Sequence, residues 1–267
     1  MKKLGKILFV VLMSLLLTCC SAGNNNSGNK DSAEKSDLDY IKEKGTLVVG
    51  MTDFAPMDYQ ENGEWTGFDA EVGKIVAKDL GVDIEFVEID WDNKILELDN
   101  KSIDVVWNGM TLTDEVKNAM ETGKPYCNNA QVVVMKKDRI GGMSDAGLKE
   151  LKFAVEAGSA GQEAAEDNGF DFVAISTQAD TLLEVSAGTS DAAIIDLLMA
   201  GAMIGEGTSY ADLAYDFELT QEEYGVGCRK GSDLTGFINE EFKKLYDDGT
   251  LIVIAKQFGV QESLLPQ

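Results

Sequence analysis

The sequence predicts an α/β fold in which parallel strands are joined by helices. An amphipathic run, Asp69–Leu80, precedes the apolar segment Ile84–Ile89, and a second apolar segment, Asp104–Trp107, follows a further polar stretch. Parallel strands need long crossover connections of this kind, and these crossovers are right-handed. Each apolar segment also leads into a polar turn, and open α/β sheets bind their ligands at that end of the strands.

The first half of the chain carries recognisable strand and helix boundaries. The first predicted strand is Leu47–Val49. In the amphipathic run that follows, apolar side chains recur on one helical face, Asp69 is a possible N-cap and Gly81 ends the helix. Thr113 is a good N-cap for a helix over Asp114–Met120, because two acidic residues lie in its first turn.

The second half continues the alternation of strands and helices. Its elements are the strands Gln131–Met135, Phe153–Val155 and Ala192–Ile195, a short helix ending at Asn168, and a mainly helical region Phe237–Phe258 that breaks at Gly249. The body contains no internal repeat and no second long apolar span. The length of this body, roughly residues 37–267, suits one large domain or two modest ones.

The N-terminus is typical of a bacterial lipoprotein signal. Three lysines precede the apolar segment Ile7–Leu17, which is shorter than the roughly 20 residues that span a bilayer. Residues 1–19 are therefore predicted to be the signal, with Cys20 acylated and Cys19 as the minor possibility. Residues 20–37, rich in Asn, Ser and Gly, are predicted to form a flexible tether. The alternative is an ordinary secretory signal with incidental cysteines.

Composition excludes several classes of function. The chain has 47 acidic and 23 basic residues, a formal net charge of −24, and no histidine. Such an acidic surface argues against nucleic acid and against electrostatic attachment to anionic membranes. Without histidine, His-based catalytic triads and His-containing metal sites are impossible. Cys127 and Cys228 are too few for a structural zinc site, so we predict no metal and no cofactor.

The order of motifs resembles the polar amino-acid family of bacterial extracellular solute-binding proteins, which serve ABC importers. The resemblance is carried by Trp65–Asp69, Ile84–Asp92 and Lys101–Thr113, and it extends from about Leu47 to the C-terminus. It implies the type II periplasmic-binding-protein fold, in which two α/β lobes are joined by two hinge strands and close on a ligand. The implied boundaries are 38–129 plus 226–267 for lobe 1 and 130–225 for lobe 2.

The resemblance also implies a set of ligand contacts. Phe54 and Trp91 occupy the positions of two aromatic walls that hold the ligand between them. Asp196 directly follows a predicted buried strand, where the family places an acid that binds the ligand's ammonium. The alternative for Phe54 and Trp91 is that each ring only packs beneath its own loop. The alternative for Asp196 is that it is a solvated acid in a loop. The implied ligand-binding residues are Phe54, Trp91, Asn108, Gly109, Thr111, Ser159 and Asp196.

One expected feature is missing from the chain. Most relatives carry an arginine that binds the ligand carboxylate at the position where this chain has Val116. The two arginines of the chain, Arg139 and Arg229, are not placed to replace it. Lys117 or Lys124 could reach the site, although lysine binds a carboxylate less specifically than arginine does. The ligand could therefore be an amine without a free α-carboxylate.

These observations predict the substrate-binding lipoprotein of an ABC importer, which binds an amino acid or an amino-acid-like amine and is not an enzyme. Its predicted partners are a small-molecule ligand and a membrane permease. The predicted location is the extracytoplasmic face of the bacterial cell membrane, where the protein is held as a monomer by its lipid anchor only. The alternatives on the same scaffold are an adhesin, a sensor and an enzyme similar to cyclohexadienyl dehydratase. The missing arginine argues against the enzyme.

A disulfide between Cys127 and Cys228 is a further possibility. The two cysteines flank the implied hinge crossings, which lie near Asn128–Val133 and Glu222–Gly227. If the crossings are antiparallel, the cysteines lie opposite each other at the Cα separation that a disulfide needs. An exported protein permits the bond. The alternative is two unpaired thiols.

Overall fold

The computed structural model of the protein describes residues 36–267. The predicted signal, the predicted acylation site Cys20 and nearly all of the predicted tether lie outside the described residues. Within the described part of the chain, no helix is both long and apolar enough to cross a membrane.

Strands and helices alternate along most of the described chain. The strands are β1 (Thr46–Met51), β2 (Tyr59–Glu61), β3 (Glu64–Thr66), β4 (Asp83–Glu88), β5 (Val105–Val106), β6 (Glu121–Thr122), β7 (Cys127–Asn129), β8 (Gln131–Lys136), β9 (Lys152–Glu156), β10 (Asp171–Ile175), β11 (Ala192–Asp196), β12 (Leu213–Glu218), β13 (Glu222–Tyr224) and β14 (Gly227–Cys228). The helices are α1 (Asp37–Lys44), α2 (Phe68–Leu80), α3 (Lys94–Asp99), α4 (Asp114–Ala119), α5 (Lys137–Ile140), α6 (Asp145–Leu148), α7 (Ala160–Asn168), α8 (Gln178–Ala187), α9 (Leu197–Met203), α10 (Leu234–Asp247) and α11 (Thr250–Gln257).

Two five-stranded sheets form the centres of two lobes. The first sheet has the order β4-β1-β5-β14-β6, and the second has the order β10-β9-β11-β8-β12. In the first, β1 is parallel to both β4 and β5, as the sequence predicts. In the second, β9 is parallel to β10 and β11, whereas β8 is antiparallel to β11 and β12. The α/β fold class and its parallel core are therefore confirmed.

A two-stranded antiparallel pair, β7 with β13, lies where the chain passes between the two sheets. β7 directly precedes β8 of the second sheet, and β13 directly precedes β14 of the first. The chain therefore leaves the first sheet and returns to it through adjacent extended segments. This arrangement is the one that a hinge between two lobes requires.

Helix boundaries agree with the predictions at two positions and differ at a third. Gly81, in the left-handed conformation at φ 82°, is the C-cap of α2, and the Thr113 hydroxyl accepts the Val116 N–H as the N-cap of α4. The prediction for Asp69 is wrong, because α2 begins one residue earlier, at Phe68. Asp69 is buried and accepts hydrogen bonds from other segments.

The predicted disulfide is absent. Cys127 and Cys228 are both buried free thiols. Cys127 lies opposite Tyr224 in the β7–β13 pair, whereas Cys228 lies in the first sheet opposite Val105 and Glu121. The geometric premise of the prediction therefore fails, because the two cysteines belong to different sheets and are not cross-strand neighbours.

A buried ion cluster attaches α1 to the first sheet. Asp104 is fully buried and accepts hydrogen bonds from Lys44 Nζ at 2.5 Å and from the Val48 N–H at 2.9 Å. The Arg229 guanidinium contacts Asp104 at 3.4 Å and binds both carboxylate oxygens of Asp37 at 3.1 Å. Each charge of this cluster thus has a partner of opposite sign, which offsets the cost of its burial.

Candidate functional site

A cavity of about 290 Å³ is lined by residues from both lobes. Its walls come from the segments that follow the carboxyl ends of β1, β4, β5, β9 and β11, where α/β sheets place ligands. All seven residues predicted to contact a ligand line this cavity, namely Phe54, Trp91, Asn108, Gly109, Thr111, Ser159 and Asp196. Their individual roles toward a ligand remain predictions.

Two aromatic side chains line the first-lobe side of the cavity. Phe54 follows β1 and is 3% exposed, and Trp91 follows β4 and is 8% exposed. The Phe54 ring packs edge-to-face on Tyr224, with centroids 6.3 Å apart. Gly109, at φ 53°, allows this approach, because a Cβ there would lie 2.4 Å from the Phe54 ring. Both rings are therefore held by packing as well as facing the cavity.

Polar groups of the turn after β5 are already used within the first lobe. The Asn108 carbonyl accepts from the N–H and hydroxyl of Thr52, and its amide donates to Asp58 and to the Thr52 carbonyl. The Gly109 N–H donates to Asp69 at 2.7 Å. These two residues therefore shape the turn, and their side-chain amide and backbone N–H are not free to bind a ligand.

Asp196 is a buried acid at the end of β11 and is held by a network of donors. The Tyr224 hydroxyl and the Gln178 side-chain amide each donate to its carboxylate at 2.6 Å, and the Asn129 side-chain amide also donates to it. Burial, followed by the negative charge of Glu222, raises the pKa of Asp196 to about 7. The carboxylate is thus fixed in position by residues from α8 and from both hinge strands.

Glu222 on the hinge strand β13 connects this network to the first lobe. Its Oε1 atom accepts hydrogen bonds from Thr111 at 2.9 Å, from Asn129 at 2.7 Å and from Gln131 at 2.6 Å. The Thr111 hydroxyl therefore binds the hinge in this conformation. A polar chain runs from the turn after β5, through both hinge strands, to Asp196.

Ser159 begins the second-lobe helix that faces the cavity. Its hydroxyl accepts the Gln162 N–H at 3.1 Å as the N-cap of α7 and donates to the Glu156 carbonyl at 2.8 Å. The first turn of α7 contributes Ala160, Gln162 and Glu163 to the cavity wall. Backbone N–H groups at a helix start favour a negative partner.

Several cavity residues were not predicted from the sequence, among them Lys94, Glu156 and Gln178. Lys94 is buried although it lies on a short amphipathic helix, where a lysine is normally interpreted as solvent-facing. Its Nζ donates to the Gly158 carbonyl of the other lobe at 2.8 Å and lies 5.1 Å from the centroid of the Trp91 ring. Glu156 ends the apolar strand β9 just as Asp196 ends β11, so the same strand-end rule could have identified it.

Among residues 36–267, no arginine lines this cavity. Arg229 belongs to the ion cluster at α1, and Arg139 binds Asp191 at 3.0 Å beside the second sheet. Val116 lines the cavity and packs in the same apolar cluster as Trp91. Both arginines of the chain therefore lie away from the cavity wall. The lysine that does line the cavity is Lys94.

Raising the pH is expected to destabilise the protein prepared without ligand. Burial, followed by the charge of Asp196, raises the pKa of Glu156 from 4.5 to about 8, and burial raises the pKa of Asp69 from 3.8 to about 7. Because the folded-state pKa values exceed the unfolded ones, this stabilisation is complete below about pH 4 and disappears as the pH rises through 7–8. Acids with lowered pKa values, such as Asp191, act in the opposite direction only near pH 4 and below.

The measurement is the melting temperature between pH 5 and pH 8.5 at constant ionic strength. We expect a continuous decrease, and a smaller one for Glu156→Gln, which removes one of the titrating groups. A melting temperature at pH 8.5 that equals or exceeds the value at pH 5 would contradict the assignment. It would mean that Glu156 and Asp69 are not buried acids without a cationic partner.

Two lobes, a two-stranded hinge and a cavity lined by both lobes define a type II periplasmic binding protein. In such proteins a solute is enclosed by lobe closure. The chain belongs to the bacterial extracellular solute-binding proteins, family 3, whose sequence model matches residues 47–261.

Individual relatives show the same family likeness over most of the chain. The L-cystine-binding protein TcyJ of Escherichia coli (strain K12) is 31% identical over 236 residues, which cover 86% of this chain and 88% of TcyJ. The L-cystine-binding protein TcyA of Bacillus subtilis (strain 168) is 32% identical, with 97% of both chains covered. A crystal structure of an ArgBP mutant from T. maritima matches with a TM-score of 0.77 and 33% identity, covering 83% of this chain and 98% of that one.

Proposed function

We propose that this protein is the substrate-binding component of an ABC importer and that its cleft captures an amino acid or an amino-acid-like amine. The observation that carries the proposal is the position of Asp196. It is a buried, rigidly held carboxylate in the wall of a cavity that both lobes line. A charge-assisted hydrogen bond from a ligand ammonium would be strong there. Relatives named for binding cystine and arginine agree with this chemistry.

The other proposed ligand contacts are of three kinds: apolar walls, groups with positive potential, and a hydroxyl. Phe54 and Trp91 provide flat apolar walls, which suit a hydrocarbon side chain or a cation. Lys94 and the first turn of α7 after Ser159 provide the positive potential that a ligand carboxylate needs. Thr111 contributes a hydroxyl to the cavity wall and donates it to Glu222 on the hinge strand β13. We therefore keep the seven predicted residues as the proposed site, with Asn108 and Gly109 in a shaping role.

A second candidate is an amine without a free α-carboxylate. The observation that favours it is the side chain of Val116, which is apolar where a carboxylate-binding arginine would be. A buried carboxylate without a counter-charge is costly. Among the described cavity residues Lys94 is the side chain that would supply a full positive charge, beside the helix start of α7, and it is already bonded to two backbone carbonyls.

We also propose the cellular context that accompanies this function. Cys20 would carry the lipid anchor, residues 20–37 would tether the monomeric body to the extracytoplasmic face of the membrane, and a permease would receive the ligand. The proposed lobe boundaries are 38–129 plus 226–267 and 130–225. Catalysis forms no part of the proposal, because the cavity residues are explained by binding alone.

A matched ligand panel tests both candidates. Each amino acid is compared with its decarboxylated amine and with the acid that lacks the amine, and the melting-temperature shift is recorded. The shift increases with ln(1 + [L]/Kd), so it ranks affinities directly. We expect a shift for at least one compound with an amine and none for the acids without one.

The outcomes separate the two candidates. A larger shift for an amino acid than for its decarboxylated amine supports the first candidate, whereas an equal or larger shift for the amine supports the second. A panel in which no amine-bearing compound shifts the melting temperature contradicts both.

A further inference from the structure

Glu156 is an unusual group in the cavity wall. It is the last residue of β9 and only 2% of its surface is exposed, yet it lines the cavity. Its Oε1 atom is buried and has no hydrogen-bond partner within residues 36–267. An unpaired buried carboxylate oxygen costs the full desolvation of that atom, which a ligand donor would recover.

Asp196 differs from Glu156 in this respect. Its carboxylate already accepts hydrogen bonds from Tyr224, Gln178 and Asn129. A ligand that approaches Asp196 must therefore share its oxygens, whereas Glu156 has one oxygen in reserve. The two acids are close enough that the charge of Asp196 contributes to the raised pKa of Glu156.

The charge of the cavity wall is strongly unbalanced. Among the described residues its acidic members are Glu115, Glu156, Glu163, Glu166 and Asp196, and its basic member is Lys94. Lys94 Nζ bonds to the carbonyls of Trp91 and Gly158 and not directly to a carboxylate. Burial lowers its pKa, whereas Glu115 and Glu156 act in the opposite direction. One ligand ammonium would leave most of these carboxyl groups without a cationic partner.

We propose that Glu156 is a second cation-binding carboxylate of the cleft and that the ligand carries two cationic groups, as in a basic amino acid or a diamine. One cationic group binds Asp196 and the other binds Glu156. The aromatic faces of Phe54 and Trp91 border the connecting hydrocarbon chain. This inference rests on the proposed function and narrows its ligand class.

The test uses pairs of compounds that differ in one cationic group. Lysine is compared with norleucine, arginine with citrulline, and cadaverine with pentylamine, by calorimetry on the parent protein and on Glu156→Gln. We expect at least one dicationic compound to bind the parent tenfold or more tightly than its partner. Glu156→Gln should weaken the binding of that dicationic compound at least tenfold. It should change the affinity of the matched monocationic compound by less than twofold.

A second readout distinguishes ligand contact from a structural role. At pH 7.5 the parent should release protons when a dication binds, because the bound cation favours the ionised form of Glu156. Asp196 and Lys94 face the same group, so the informative quantity is the difference between parent and variant. Calorimetry in two buffers of different ionisation enthalpy measures it, and Glu156→Gln should release fewer protons.

Two control variants accompany the test. Glu150→Gln removes an exposed acid of the second lobe that does not line the cavity and should change affinity less than twofold. Glu156→Asp keeps the carboxylate and should keep the preference for the dication, so it remains informative if the Gln variant folds poorly. The inference is overturned if Glu156→Gln leaves every affinity within twofold, or if the monocationic partners bind as tightly as the dications. If no amine-bearing compound binds at all, the proposed function itself fails.

Discussion

Replacing Asp104 by alanine is expected to lower the free energy of unfolding by about 3–5 kcal/mol. The substitution removes a fully buried carboxylate that Lys44, the Val48 N–H and Arg229 all contact. Arg229 would keep Asp37 as a partner but would be left buried with half of its counter-charge. Loss of one member of a buried ion cluster is costly because the remaining charge stays desolvated.

Urea unfolding followed by circular dichroism measures this effect, with the transition midpoint compared at a constant slope. The matched control is Asp191→Ala, which removes the partner of the other arginine, Arg139. That pair is 39% and 43% exposed, so its loss should cost no more than about 1 kcal/mol. Equal losses for the two variants would show that the cluster at α1 contributes no more than a surface ion pair.

The second large effect is expected for ligand binding by Asp196→Asn. Replacing the acid that would receive a ligand ammonium should weaken binding by about 1.5–3 kcal/mol, the range for a hydrogen bond to a charged group. The new amide would also direct its own N–H groups toward Tyr224, Gln178 or Asn129, which all donate at this position. We therefore expect a measurable drop in melting temperature as well.

Calorimetry with the tightest ligand of the amine panel measures the change, at a temperature where both proteins are folded. Asp171→Asn is the control, because it removes an exposed acid at the opposite end of the second sheet. Binding by Asp196→Asn within twofold of the parent would mean that another group holds the ammonium. Glu156 would then be the first residue to test.

The order of strands and helices along the chain, and the ends of several strands, could be predicted because they depend on local patterns. Continuous apolar runs locate β8, β9 and β11, and the polar residue that follows such a run lies at the ligand-binding edge of a parallel sheet. Asp196 and Trp91 were placed at the cavity on this basis together with the family resemblance. Glu156 directly follows the apolar residues Phe153–Val155 of β9, so the same rule also applies to it.

The sequence by itself therefore determined the α/β class, the order of the elements and the segments that reach the cavity. Tertiary structure alone decided what each polar atom does there. Asn108 and Gly109 turn their donors into the first lobe, Lys94 points inward, and the two cysteines lie in different sheets. The physical reason is that a hydrogen-bond partner or a cross-strand neighbour comes from a distant part of the chain, whereas burial periodicity and capping depend only on nearby residues.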